Sequence, residues 1–139
     1  MELIFQAKRR DNREWVDGYY VRLHDHKGNV SHRIYTGYAE TDCGDFYPDW
    51  FEVDPSTVRR YIGLTDKYED MIFEGDIVNL LTENDEFGVI TYSEAGFVVS
   101  ADGFCVDFRQ NIDGKDVEIV GNVYDDPKLV EGFYEVGTH

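Results

Sequence analysis

Short runs with a period of two, broken by turn residues, dominate this chain. Residues 15–23, Trp-Val-Asp-Gly-Tyr-Tyr-Val-Arg-Leu, set the pattern, and residues 3–7, 30–35, 58–62, 76–81, 88–92, 97–100, 104–108 and 117–124 are further strand candidates. Gly28-Asn29 reads as a tight hairpin turn, and Asp102-Gly103 and Asp113-Gly114 carry the same signal. Residues 82–87, Thr-Glu-Asn-Asp-Glu-Phe, form a polar connection. Residues 37–55 break the alternation. They are acidic and aromatic, and the expectation is a long surface loop with one short strand over 50–53. Near the C-terminus, Asp126 suits a helix N-cap, Pro127 the first helical position and Gly132 a stop.

These signals predict a mainly β (β-rich α+β) fold: small curled antiparallel sheets, an SH3-like partly open barrel and one short C-terminal helix. At 139 residues the chain is expected to form a single domain, with a subdivision into 1–57 and a barrel-like 58–139. Hydrophobic residues at 42%, of which 10 Tyr and 9 Phe are a large part, supply a core and exclude a disordered chain. No apolar run reaches the roughly 18–20 residues of a membrane span, and residues 1–5 lack the basic, then long apolar, pattern of a signal peptide. A cytoplasmic protein is expected. Cys43 and Cys105 stand alone, with no Cys-x-x-Cys, so no zinc ribbon or thioredoxin motif is present.

The net charge of −16 is unevenly distributed. Residues 1–70 hold 10 basic and 14 acidic side chains, and residues 71–139 hold 3 and 15. So negative a surface disfavours nucleic-acid binding, although Lys8, Arg9, Arg10 and Arg13 cluster, with Arg59 and Arg60 further on. It favours solubility, or contact with a basic partner.

Residues 59–78, Arg-Arg-Tyr-Ile-Gly-Leu-Thr-Asp-Lys-Tyr-Glu-Asp-Met-Ile-Phe-Glu-Gly-Asp-Ile-Val, invite a catalytic interpretation that their spacing does not support. The Gly-Lys-Ser/Thr of a P-loop is missing, and Gly63 and Gly75 are too far apart for a dinucleotide turn. Glu69, Asp70, Glu74 and Asp76 do not follow EF-hand spacing. A strand junction is the simpler expectation. Gly75 bends the chain into a strand, Ile72, Phe73, Ile77 and Val78 bury around it, and Asp76 bonds a nearby amide.

His24 and His26 share a face of a strand, whereas a two-residue turn at Gly28-Asn29 would put Asp25 opposite His32 and His32 on the other face. No three-histidine metal site results. Cys105 lies in an apolar strand and is expected to be inert, and Cys43 sits among carboxylates that oppose thiolate formation. Catalytic, cofactor and metal residues are therefore all expected to be absent. The aromatics of the acidic segment are the candidate binding surface: Asp42, Asp45, Phe46, Tyr47, Asp49, Trp50, Phe51 and Glu52. Pinning that loop to the core is the competing use of the same rings.

The order of motifs resembles the YopX family of phage and prophage proteins. Ile4-Phe5-Gln6-Ala7 is similar to the family's opening strand, and Trp15-Val16-Asp17-Gly18-Tyr19 to its Trp-x-x-Gly element. Tyr61-Ile62-Gly63-Leu64-Thr65-Asp66-Lys67 with Ile72-Phe73-Glu74-Gly75-Asp76-Ile77-Val78 is similar to its central run. Ile119-Val120-Gly121-Asn122-Val123-Tyr124-Asp125-Asp126-Pro127-Lys128-Leu129 is similar to its closing run. Where the family has Asn-Gly, this chain has Tyr68-Glu69, both resistant to positive φ. The resemblance implies a β-rich, phage-encoded cytoplasmic protein and supplies no catalytic residue. Gly63, Gly75, Asp76, Gly121, Asn122 and Pro127 are its structural motif positions. The function expected is a non-catalytic protein-interaction module with an acidic surface, its partner a host or phage protein, and homo-oligomers are also expected. A carboxylate enzyme acting on a small molecule or sugar is the first alternative. An acidic mimic of nucleic acid that inhibits a host DNA- or RNA-binding protein is the second.

Overall fold

Chain reversal at glycines, prolines and acidic turns organises the whole structure, a computed structural model that describes residues 4–81, 86–93, 96–101, 104–107 and 117–130. Side chains within 92–107, and that of Ala39, are not described. Eleven strands lie among the described residues: β1 Phe5–Lys8, β2 Trp15–His24, β3 Val30–Glu40, β4 Phe46–Glu52, β5 Arg59–Thr65, β6 Met71–Phe73, β7 Asp76–Asn79, β8 Phe87–Ser93, β9 Gly96–Ala101, β10 Phe104–Asp107 and β11 Glu118–Asn122. The fold is mainly β, its sheets are antiparallel and not closed, and no long helix is present among these residues. The C-terminal helix is a single 3-10 turn, Pro127–Val130. No helix among the described residues is long and apolar enough to cross a membrane. The turns expected at Asp102-Gly103 and Asp113-Gly114, residues 82–85, Gly132 and the Cys105 side chain lie outside what is described. The chain divides into two units, Met1–Arg60 and Tyr61–His139.

In the first unit the strand order is β4-β3-β2-β1, and the opening residues of β5 pair with β1. The sheet curls, because Arg9 bridges to Val53 and the Arg10 N–H donates to the Glu52 carbonyl at 3.0 Å. The concave side buries Ala7, Ile34 and Val53, with Phe5, Val16, Tyr20 and Val58 packed around them. The β2–β3 loop has five residues rather than two. The Asp25 carboxylate accepts from the Lys27 and Asn29 backbone N–H groups, and Gly28 takes a left-handed φ of 86°. Those bonds, led by the one from Asn29, hold the Asp25 carboxyl below the usual carboxylate range. The longer loop shifts the register, so Arg22 faces His32 and His24 faces Val30. His32 thus shares a face with His24, contrary to the two-residue-turn expectation. It is engaged by the Tyr20 hydroxyl at its Nδ1.

Residues 37–55 do not form a loop. β3 runs on to Glu40, and β4 returns antiparallel to it. One extra residue, Thr36, interrupts the ladder between the Tyr35–Trp50 and Gly37–Asp49 pairs, and its hydroxyl donates to an Asp49 carboxylate oxygen at 3.1 Å. That bulge breaks the period of two and conceals the strand from pattern reading. At the tip, the Thr41 N–H donates to the Asp45 carbonyl, the Asp45 N–H donates to the Thr41 hydroxyl, and Gly44, at φ 85°, donates to the Thr41 carbonyl.

In the second unit, β10-β9-β8-β7-β11 form one sheet, and β6 pairs with the later part of β5. Phe104 lies opposite Ala101, as the hairpin signal predicts. β7 and β8 are buried on both faces. Ile62, Ile72, Val78, Ile90 and Val117 form one apolar cluster, and Ile77, Val89, Val123 and Val130 the other. Double burial explains why Ile77-Val78 and Val89-Ile90 are continuous apolar pairs rather than alternations. Each fully buried Val or Ile contributes roughly 1.5–3 kcal/mol.

The turn after β5 carries the departure noted at Tyr68-Glu69. Glu69 has a φ of 68°, a left-handed conformation, and its N–H donates to the Asp66 carbonyl at 3.0 Å. A side chain there costs roughly 1–2 kcal/mol, against roughly 0.5–1 kcal/mol for the extra flexibility of glycine. Glu69→Gly is therefore expected to stabilise the second unit by about 0.5–1 kcal/mol. Amide exchange in β6 and β11 measures it, and faster exchange in the variant would refute the strain assignment.

Candidate functional site

Side chains directly opposite one another across antiparallel strands share a face. On the convex side of the first unit, the register places Tyr19, Tyr35 and Trp50 in one row and Val21, Arg33 and Glu52 in the next. Beyond the bulge, Tyr38 pairs with Pro48 and Glu40 with Phe46. Because of the extra residue, Tyr35 and Tyr38 present side chains to the same face although they are three apart. Together Tyr19, Val21, Tyr35, Gly37, Tyr38 and Pro48 line an apolar groove of about 420 Å³. Its aromatic walls lie open: Tyr19 is 60% exposed and Tyr38 77%, while Phe46, further toward the hairpin tip, is 70% exposed. Aromatic side chains left this bare on a sheet face are uncommon unless something docks there.

The Arg33 guanidinium lies 3.7 Å from the centroid of the Trp50 ring and donates to the Tyr35 hydroxyl at 3.3 Å. This fixes a positive charge at the Val21 end of the face. The opposite, tip end is acidic. Glu40 stands on that face beside the tip and Asp42 and Asp45 lie in the tip itself, whereas Glu52 lies opposite Arg33. No carboxylate lines the groove itself.

The sequence-derived candidates fall into three groups. Trp50 and Phe46 belong to the groove face, and Asp42 and Asp45 to the tip beside it. Tyr47 alternates to the other side, as do Asp49, which is held by Thr36, and Phe51, which pairs with Ile34 above the core and is covered by the Arg9 guanidinium. Glu52 pairs with Arg10 at 3.4 Å. Pattern reading missed Tyr19, Val21, Tyr35, Tyr38 and Pro48. The signal available for them was the tyrosine content of β2 and β3.

The clustered basic residues are internally engaged. Arg9 pairs with Asp11 at 2.6 Å, Arg13 pairs with Asp54 at 3.0 Å, and Lys8 sits over the Trp15 ring. Arg59 is buried and bonded to the Gln6 side chain. Ser56 and Arg13 hold the Asp54 carboxyl below the usual range. Among the described residues, no three His, Cys, Asp or Glu side chains group to hold a metal ion.

The motif positions of the second unit are accounted for by backbone bonding. Asp76, buried, accepts from the Phe73 N–H at 2.8 Å. Gly75, at φ 84°, has its N–H on the Ile90 carbonyl and its own carbonyl on the Val123 N–H, with the Tyr124 ring only 3.1 Å from where a Cβ would stand. Gly63, φ 89°, sits where the β5–β6 register shifts. The Asn122 side chain accepts from the Tyr124 and Asp125 N–H groups. Asp126 does not cap the Pro127 turn with its side chain. Its carboxylate accepts from the Asn122 N–H at 3.2 Å and occupies the space where a Cβ on Gly121 would come within 2.5 Å.

The chain has counterparts among known proteins. The family model described as YopX protein matches residues 4–131. The chain belongs to the YopX family. Its fold is similar to the crystal structure of protein EF1440 from Enterococcus faecalis, with a TM-score of 0.59 and 21% identity over 94% of this chain and 99% of that one. A search of curated proteins gave no match. Within this YopX chain, the motif residues Asp66, Gly75, Asp76, Gly121 and Asn122 serve the strand junctions of the second unit. The open aromatic groove lies in the first.

Proposed function

We propose that this YopX-family chain is a non-catalytic protein-interaction module of the phage and prophage kind, acting in the host cytoplasm by docking a basic partner protein on the convex face of β2, β3 and β4. What carries this reading is a groove walled by Tyr19, Tyr35 and Tyr38 and flanked by the carboxylates of the β3–β4 hairpin. Exposed aromatic side chains give contact area at low entropic cost, and neighbouring carboxylates select a positively charged partner. An enzymatic role is less well supported. The groove walls offer no acid–base pair, and the buried carboxylates Asp66 and Asp76 both accept backbone N–H groups.

The test is affinity capture from nuclease-treated host lysate, with the wild-type chain beside a Tyr38→Ser, Phe46→Ser double variant and a Tyr68→Ser control, Tyr68 being an exposed tyrosine of the second unit. One host protein should be retained by wild type and control, released by moderate salt, and lost by the groove variant. Equal retention by the groove variant, or no specific protein at low salt, would overturn the reading.

A further inference from the structure

We propose that the groove receives a single arginine side chain of the basic partner, its guanidinium lying between the Tyr35 and Tyr38 rows and bonded to the Asp17 carboxylate. This rests on the interaction reading above and adds the chemistry of the occupant. The register supplies the first argument. Tyr35 lies opposite Trp50 and Tyr38 opposite Pro48. Trp50 and Pro48 are two residues apart, so the two tyrosine rows are separated by roughly 7 Å at about 3.4 Å per residue. A flat group in contact with a wall on each side needs about 3.5 Å to each. The gap therefore admits one planar group. Gly37 lines it without adding a side chain. The Tyr35 hydroxyl accepts from Arg33, in the row on the far side, which ties that ring away from Tyr38.

An oriented carboxylate stands beside the gap. Strand alternation puts Asp17 on the convex face with Tyr19, one row on, at the Gly37–Tyr38 end of the groove. Asp17 is exposed, and its Oδ1 accepts from Gln6 Nε2 at 2.7 Å. Gln6 Oε1 in turn accepts from Nε and Nη2 of buried Arg59. A flipped Gln6 amide would set NH2 against the guanidinium, so Arg59 orients Gln6 and Gln6 orients Asp17. Oδ2 of Asp17 is left to take a second donor. The chain already lays guanidinium groups on its own rings: Arg33 on Trp50 at 3.7 Å, Arg9 on Phe51 at 3.9 Å and Arg59 on Trp15 at 4.3 Å. Among the described residues no cation covers Tyr19 or Tyr38. Charge agrees. Glu40 lies one row past Tyr38, and at the other end Glu52 stands opposite Arg33 and offsets it. Arginine suits the site better than lysine, because its planar head stacks on rings and forks onto a carboxylate, whereas an ammonium is compact and strongly hydrated. A second copy of this chain is disfavoured as the source, since each copy carries −16.

The probe is N-acetyl-arginine methylamide, with N-acetyl-lysine methylamide beside it, added to the full chain at constant ionic strength and followed by amide NMR. The arginine probe should shift the amides of Asp17, Tyr19, Gly37 and Tyr38 in a saturable way, half-complete at about 10 mM. The lysine probe should bind several-fold more weakly. Asp17→Asn, which keeps the size of an exposed side chain, should weaken the arginine probe about tenfold, and Tyr38→Ser by a similar factor. Equal binding by the lysine probe would overturn the guanidinium assignment, and undiminished binding to Asp17→Asn would overturn the part given to the carboxylate. Shifts confined to residues outside the groove, or none at about 100 mM probe, would overturn the whole proposal. Capture of a host protein that depends on Tyr38 and Phe46, combined with silent probes, would leave the interaction reading standing and remove only this inference. Failure of both experiments would remove both.

Discussion

Gly18→Ala is expected to cost the first unit about 3 kcal/mol, lowering its urea midpoint by roughly 2 M at an m-value of about 1.5 kcal/mol/M. A Cβ at position 18 would stand 2.2 Å from the Tyr35 carbonyl oxygen and 2.9 Å from Ile34 Cγ2. The first of these neighbours is backbone, held in the β2–β3 ladder beside the bulge, so no rotamer change relieves the contact. Ile34 belongs to the buried cluster of the unit and has no empty space to enter. Tryptophan fluorescence reads the effect selectively, because both tryptophans, Trp15 and Trp50, lie in the first unit. Gly28→Ala is the matched control. It carries the left-handed φ of 86° but has nothing within 4 Å of its Cβ, so only about 1 kcal/mol of backbone strain is expected. If the two variants unfold at the same midpoint, close strand approach is not what requires glycine in the Trp-x-x-Gly element.

The same bulge explains what sequence pattern can and cannot disclose here. β2, the start of β3, β8 and β11 are legible because their apolar residues alternate or run together between turn residues. The β3–β4 hairpin is not. Acidic residues and Pro48 depress its strand propensity, and Thr36 throws Tyr35 and Tyr38 out of phase. Aromatic enrichment at residues 46–51 marks the right neighbourhood. Strand alternation then splits those residues, sending Phe51 toward the core and Trp50 toward the groove. Tyr19 joins Tyr35 only through cross-strand register, and register depends on a loop length that Gly28-Asn29 understates. The dipeptide suggests a two-residue turn. Asp25, three residues earlier, captures two backbone amides and makes a five-residue loop more favourable. Side-chain bonds of this kind also redirect Asp126. In sequence it is a helix cap, but in the fold its carboxylate closes on the Asn122 amide because Gly121 leaves room for it.

Asp66 is the strongest of these locks, and Asp66→Ala is expected to destabilise the second unit by about 3 kcal/mol. The residue is 2% exposed. One carboxylate oxygen accepts from the Tyr68 and Asp70 N–H groups at 2.9 and 3.0 Å, and the other accepts from the Ile119 N–H at 3.1 Å. The first two bonds shape the turn, and water can replace much of them because Tyr68 and Asp70 are exposed. The third spans 53 residues and fastens that turn to β11, alongside the Lys67 N–H on the Val117 carbonyl. Ile119 is half-buried and packs on the cluster containing Ile62 and Val78, so its amide has little access to water once the carboxylate is removed. Asp66→Asn separates the two contributions. Its amide oxygen can retain the turn while its NH2 meets the Ile119 N–H donor to donor, and an intermediate loss of about 1–2 kcal/mol is expected. The Ile119 amide reports on both variants by hydrogen exchange. Its protection should fall most in the alanine variant, less in the asparagine variant, and rise slightly in Glu69→Gly, where the lock is intact and only the turn strain is relieved. Undiminished protection of Ile119 in Asp66→Ala would mean that apolar packing alone holds β11 to the turn.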